Sequence, residues 1–170
     1  MSPRTLRQLG WFTCLVALKN SPLGVLDATR YASLRTFRLD GTWVETPIWF
    51  AREVDCLYLR TGEATGKIRR IRGDSRVELR PCDYRGRYVA NAPVVSGTAG
   101  ICEGDERRRG EACLKKRYRW QWNVIPMIPL RGLSNPHPGL TLRERIARAR
   151  SQDPLPGTCV VKIDVTDKDH

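Results

Sequence analysis

The sequence predicts a mainly β fold with flanking helices, and three stretches carry that prediction. Leu34 to Phe37 and Trp43 to Phe50 are dominated by β-branched and aromatic residues, and Asp40-Gly41 between them supplies the positive-φ residues that a tight hairpin turn demands. Cys56 to Arg60 is a third strand-like run, followed by a short basic helix and a fourth strand ending at Pro81. Near the other end, Pro156-Gly157 turns the chain into Thr158 to Val165, a run of alternating character. A chain of 170 residues with 41% apolar and 28% charged residues is ordinary globular usage, long enough for one domain with a real core.

Taken in order, residues 1–24 hold a targeting-like feature. Arg4 and Arg7 precede the apolar run Trp11 to Leu18, which Lys19 ends. The run is far short of the ~20 residues of a membrane span, and no A-x-A cleavage pattern follows. It reads as an N-terminal amphipathic helix packing on the domain, with an export signal as the alternative. Residues 25–33 lead into the first strand, and 25–101 form the strand region, with the basic helix at 65–72. Asp83 to Gly86 is a polar turn. Arg87 to Ile101 reads as a long strand region broken by Pro93 and Gly97, the proline marking an edge or bulge because it cannot donate to a ladder. A helix over 104–122 opens on Asp105 and Glu106 and carries Lys115, Lys116, Arg117 and Arg119 later, an order that suits the helix dipole. Four prolines and two glycines between 123 and 139 preclude a regular helix there, so the segment reads as an insertion, a pocket lid or a dimer-embracing arm. Thr141 and Glu144 form a capping box for a helix over 141–150, and 157–166 is the last strand.

The chemistry concentrates in the loop TGEATGK. Thr61, Gly62, Thr65 and Gly66 offer hydroxyls and unobstructed backbone N–H groups just before a helix carrying Lys67, Arg69, Arg70 and Arg72. A nucleotide P-loop is excluded, because Gly62 and Gly66 are one residue too close and Ile68 stands where a magnesium-binding hydroxyl belongs. What survives is a metal-free anion site: backbone amides at a helix N-terminus, the positive dipole end and a Lys together stabilise phosphate. Ile68 and Ile71, three apart, face a core and leave Lys67 and Arg70 on a neighbouring face. The competing reading is a solvated basic helix behind an ordinary turn.

A balance of 30 basic against 18 acidic residues, +12 formally, calls for an anionic partner without saying which. Six cysteines without a CxxC pair, and two histidines far apart at 137 and 170, give zinc nothing to build on and point to a reducing compartment, the cytoplasm. Cys56 and Cys159, in apolar strands, read as small core residues. Nucleic-acid binders of the stacking type interleave aromatics with their basic residues, and Lys67 to Arg80 contains no aromatic, which places nucleic acid last among the alternatives. No Ser-His-Asp or Cys-His constellation can be assembled, so no catalytic side chain is named.

The order FRLDGTWVETPIWFA, then LYLRTGEATGKIRRIRGDSRVELRPCD, then GTA and a helix containing KRYRWQ resembles the split-barrel flavin and deazaflavin reductases related to pyridoxamine-phosphate oxidase, and within them the branch that uses coenzyme F420. The resemblance covers about residues 28–122. It implies a six-stranded split β-barrel that dimerises, with the cofactor in a groove at the subunit interface. Thr46, Pro47, Ile48 and Trp49 would lie along the flavin-like ring, and Thr61, Gly62, Thr65, Gly66, Lys67 and Arg70 would hold the phosphate. Trp120, in the segment that resembles the relatives' Lys-x-Tyr-Gly-Trp-Gln, would touch the cofactor or serve, with Tyr118 and Trp122, as an interface or core aromatic. The oxidase relatives carry an Arg where Gly66 stands and a longer basic side chain near Ala51, departures that leave the ring environment open to a deazaflavin. The implied activity is hydride transfer between reduced F420 and an activated small-molecule acceptor such as an enone, quinone or nitro compound. An FMN-binding oxidoreductase, a non-enzymatic flavin or F420 binder and, last, a nucleic-acid-binding protein are the alternatives.

Overall fold

The strands form one antiparallel sheet whose two ends are consecutive in the chain. The structure, a computed structural model, describes residues 22–118 and 157–166. Its elements are α1 (Pro22–Ala28), β1 (Tyr31–Phe37), β2 (Trp43–Trp49), β3 (Ala51–Glu53), β4 (Cys56–Gly62), α2 (Gly66–Gly73), β5 (Arg76–Cys82), β6 (Val95–Ile101), α3 (Gly104–Tyr118) and β7 (Thr158–Thr166). The spatial order is β2-β1-β5-β6-β7-β4-β3. β2 pairs with β1 from Trp43 opposite Phe37 to Trp49 opposite Tyr31, whereas β3 pairs with β4. The run from Trp43 to Glu53 therefore leaves one end of the sheet at Phe50 and joins the other, curling the sheet into a barrel. Six strands were expected, and the break at Phe50 makes seven hydrogen-bonded segments of them.

Phe50 is fully buried, and its N–H and C=O fall outside both ladders at this corner. The Tyr118 hydroxyl answers both: it accepts from Phe50 N at 3.0 Å and lies 2.6 Å from Phe50 O as a donor, with Arg30 O also 3.2 Å away. A buried backbone pair left open would cost stability, so the end of α3 serves as the clasp of the barrel corner.

Inward positions of alternate strand residues fill the barrel. Ala32, Leu34, Ile48, Leu57, Leu59, Val77, Leu79, Val161 and Ile163 meet there, joined by Ile68 and Ile71 from α2, as their spacing predicted. A second cluster, Ala51, Tyr58, Cys102, Leu114, Tyr118 and Val160, lies under α3. That helix approaches at Gly110, where a Cβ would stand 2.7 Å from Tyr58 Cδ1 and 2.8 Å from Val160 Cγ1.

The β1–β2 hairpin turns where Asp40-Gly41 predicted it. Of the two residues only Gly41 adopts positive φ (80°); Asp40 works through its carboxylate, which accepts from Thr42 N at 2.9 Å and from Thr42 Oγ1 at 2.6 Å. Three boundaries differ from expectation. Residues 25–33 are not a plain lead-in, since α1 runs to Ala28 and Thr29 Oγ1 donates to Leu26 O at 3.0 Å behind it. The strand expected from Arg87 begins only at Val95. Asp83 Oδ1 accepts from Arg85 N and Arg87 N (2.8 and 2.9 Å), and Gly86 and Asn91 take positive φ, so the segment before Val95 is spent in turns. Gly97 lies inside β6 and does not break it; its missing side chain admits Asp164 O, which a Cβ would meet at 2.6 Å. The expected helices at 1–24 and 141–150, the insertion at 123–139 and the part of the 104–122 helix beyond Tyr118 lie outside the described residues.

Five cysteines among the described residues are free. Cys159 is buried as expected, but Cys56 is only half-buried, its thiol donating to Glu53 O at 3.1 Å. No helix among the described residues is long and apolar enough to cross a membrane.

Candidate functional site: an uncapped helix N-terminus beside the β2 edge

β4 and β7 end side by side, Gly62 opposite Thr158, and Glu63 N donates to Gly157 O at 3.0 Å as the chain leaves the sheet. The next residues turn into α2, whose range Gly66–Gly73 is one residue later than expected, with Thr65 as its N-cap. Thr65 has the extended backbone usual for that position (φ −73°, ψ 151°), yet its hydroxyl does not cap the helix. Instead Oγ1 donates backwards to Gly62 O at 2.8 Å. Ile68 N and Arg69 N reach Thr65 O, whereas the amides of Gly66 and Lys67 meet no acceptor among the described residues. Two N–H groups at the positive end of a helix are thus presented outward.

The cations sit around those amides. Ile68 and Ile71 are buried beneath α2, which leaves Lys67 and Arg70 half-buried beside them. Arg70 folds back toward the helix start: a Cβ on Gly66 would lie 3.0 Å from its Nη1. Burial lowers the Lys67 ammonium's pKa, and the neighbouring Arg70 charge lowers it further. Arg70 is itself lowered by burial and by Arg38 and Arg69. Elsewhere Arg35, Arg60, Arg76 and Arg109 each hold a carboxylate within 3.3 Å. Lys67, Arg69, Arg70 and Arg38 have no such partner among the described residues.

The residue that sequence reasoning missed is Thr36. Its side chain is fully buried on the inward face of β1, and its Oγ1 accepts from Arg70 Nε at 2.8 Å while donating to Val44 O at 3.3 Å. One signal pointed to it: Ala32, Leu34 and Thr36 share the inward alternation of the strand, and Thr36 is the polar member.

The ring-side residues are placed as follows. β2 hydrogen-bonds to β1 alone, and Pro47 within it contributes no N–H. Thr46 is half-buried and lies two residues, ~7 Å of strand, beyond Val44 and so beyond the Arg70–Thr36 contact. Ile48 sends its side chain into the core. Pro47 is pressed by the Asp83–Gly86 turn, a Cβ on Gly86 lying 3.0 Å from its Cγ. Trp49 packs edge-on against Tyr31 (5.6 Å, 82°) and tilted on Tyr118 (4.8 Å, 34°). Thr61 and Gly62 end β4 at the entrance to the α2 turn. The structure therefore brings Thr61, Gly62, Thr65, Gly66, Lys67 and Arg70 into one region and connects it through Thr36 to the strand that carries Thr46. Trp120 lies outside the described residues.

A phosphate ester fits this donor set. Two open amides, a partly desolvated ammonium and a guanidinium with free Nη groups are the partners a dianion needs, and among the described residues no carboxylate is paired with either cation.

No protein-family model matches the sequence, and no curated protein does. Solved structures do match. A conserved hypothetical protein of Mycobacterium tuberculosis superposes with a TM-score of 0.52 at 21% identity, over 82% of this chain and 75% of that one. A candidate 5-nitroimidazole antibiotic resistance protein of Bacteroides thetaiotaomicron gives 0.51 at 17% identity, over 81% and 73%. The heme storage protein of Vibrio cholerae gives 0.50 at 11%, over 81% and 82%. With the sheet order above, these likenesses establish the fold: this chain is a split β-barrel.

Proposed function

We propose that this split barrel is an F420-dependent oxidoreductase that moves a hydride between reduced F420 and an activated organic acceptor of the enone, quinone or nitro type. The observation that carries the reading is Lys67, a half-buried cation with no carboxylate partner among the described residues, beside two amides that α2 leaves open. Gly66 N, Lys67 N, Lys67 Nζ and Arg70 would hold the phosphate, with Thr61 and Thr65 at the rim. The backbone of Thr46 to Trp49 would orient the ring, and the Trp49–Tyr118 pair would exclude water from its far end. When bound, the cofactor supplies the hydride-carrying carbon. FMN binding, or binding without turnover, is the second reading, because the same donor set suits any phosphorylated flavin.

A second copy of the chain completes this proposal. α3 covers the outer side of β3, β4 and β7, whereas the outer side of β1, β2 and β5 carries exposed Trp43 under Arg35, which pairs with Glu45 and Glu78, and Tyr88 under Arg80. A homodimer would cover that face and its exposed aromatic rings. Sedimentation showing only monomer at micromolar concentration would remove it.

The cradle is tested by titrating F420 and FMN into the native chain, Lys67→Ala and Arg108→Ala in moderate salt. Arg108 is the control because it stands exposed on α3 beside Asp105, away from α2 and from the face proposed for the dimer. A charge-assisted contact is worth ~1.5–3 kcal/mol, so Lys67→Ala should weaken binding about tenfold to a hundredfold, with Arg108→Ala near the native value. Equal losses would reduce the effect to general attraction. A preference for FMN would change the cofactor and keep the site; tight binding of an oligonucleotide with neither cofactor bound would overturn the function.

A further inference from the structure

Arg70 is the site cation held by a buried side chain, whereas Arg38 is held by exposed Thr42. A guanidinium on a flexible stem beside Lys67, Arg38 and Arg69 is pushed outward by like charge, and only a directional contact holds it over the helix start. Thr36 supplies that contact. Its hydroxyl has one proton and two lone pairs; the proton goes to Val44 O, and a lone pair takes Arg70 Nε. With Nε engaged, the two Nη groups remain for an external acceptor, and Nη1 lies over Gly66, where the absence of a Cβ leaves room for it.

We infer that Thr36 is a positioning residue of the anion site: it orients Arg70 toward the α2 N-terminus and fixes the distance from that site to the β2 edge, because the same hydroxyl is bonded to Val44 two residues before Thr46. This inference rests on the phosphate cradle proposed above and deepens it. The geometry is bipartite, since one oxygen ties α2 to β1 and β2. A ligand with an anionic end and a flat end separated by a short chain would be gripped at both ends only while Thr36 holds the spacing. Thr36 is fully buried, so it touches no ligand and acts through Arg70 alone.

The experiment compares Thr36→Val, which keeps the shape and removes the hydroxyl, with Thr36→Ser, which keeps the hydroxyl, and with Lys67→Ala. Two probes are used: inorganic phosphate, read as the ligand-dependent rise in thermal midpoint, and F420 against the phosphate-free ribityl deazaflavin, read by fluorescence titration. Thr36→Val should weaken F420 binding by about tenfold and blunt the phosphate-induced rise, while affinity for the phosphate-free compound stays within about twofold. Thr36→Ser should restore native behaviour. Gly66→Ala, which crowds Nη1 from the opposite side, should show the same phosphate-selective loss and serves if Thr36→Val does not fold. Equal loss toward both deazaflavins, or no loss, with Lys67→Ala still impaired, would overturn the role of Thr36 and leave the cradle standing. Undiminished phosphate binding in Lys67→Ala would overturn the cradle and this inference with it.

Discussion

Replacing Tyr118 by Phe removes one oxygen atom and keeps the ring that packs 4.8 Å from Trp49, so the variant isolates the hydrogen bonds at the barrel corner. Tyr118 is 4% exposed and Phe50 is fully enclosed, so water has little access to the groups left behind. Phe50 N loses its acceptor at 3.0 Å, and Phe50 O loses its donor at 2.6 Å. A buried donor or acceptor left unsatisfied costs ~1–3 kcal/mol, and an acceptor tolerates this better than a donor, so the pair should cost ~2–4 kcal/mol. Against a total of ~5–15 kcal/mol for a domain, that is a large fraction. Urea unfolding followed by tryptophan fluorescence would read it as a lowered midpoint with an unchanged slope, and the thermal midpoint should fall by at least ~4 °C. A loss under ~1 kcal/mol would refute the reasoning, because it would mean that the corner amide is satisfied without the hydroxyl.

Further outcomes follow from particular residues. Val54, 73% exposed in the two-residue β3–β4 turn, holds φ 52°, which a β-branched residue adopts only under strain; Val54→Gly should raise stability by ~1 kcal/mol, measured by urea unfolding, and a decrease would count against strain there. Burial pushes the Cys82 and Cys102 thiols up to about 11. Unfolded thiols ionise near ~8.5, so from there to about 11 the unfolded chain binds fewer protons than the folded one; stability should be full below ~8.5 and fall by a few kcal/mol on the way up, and a flat profile under reductant would contradict it. Lys67→Met should raise the stability of the ligand-free protein by ~0.5–2 kcal/mol while removing phosphate binding, the trade expected of a functional residue. Calorimetric scans with and without phosphate would decide it.

Features that depend on neighbours in sequence were legible, and those that depend on register were not. Asp40-Gly41 announces its own turn, and Ile68 with Ile71 announces the buried face of α2, because both signals lie within four residues. The TGEATGK loop could likewise be placed at the start of a basic helix from residue types alone. Thr36 could not be joined to Arg70 that way, since the contact spans 34 residues and exists only because α2 packs on β1. The strand after Phe50 defeats local reading for a similar reason: residue types end the β-like run at Phe50, and only closure of the sheet makes Ala51–Glu53 a further strand on a new partner. The turns before Val95 were hidden because Tyr88, Val89 and Val94 have strand-like side chains, while the Asp83 carboxylate holds the backbone elsewhere.

The two longer helices show where the excess positive charge has been left unbalanced. α3 obeys its dipole, with Asp105 and Glu106 in its first turn and Lys115, Lys116 and Arg117 in its last, and it ties three of its four arginines to carboxylates: Arg107 to Glu111, Arg108 to Asp105, Arg109 to Glu53. α2 does the opposite at its start. Its first turn contains Lys67 and no acidic residue, the N-cap hydroxyl is turned away, and two amides are left open. Each of these opposes the stability of the isolated helix: a cation at the positive dipole end, an absent cap worth ~1 kcal/mol, and unanswered donors. Open first-turn amides are common to helix starts, so what sets α2 apart is the cation beside a cap turned away, and a helix kept only for packing would need Ile68 and Ile71 and nothing more. A single anion bound at Gly66 and Lys67 would reverse all three together, neutralising the cation, capping the helix and accepting from both amides. Because one ligand chemistry answers the cation, the missing cap and both amides, the arrangement at the start of α2 supports the proposed phosphate site over a merely basic surface.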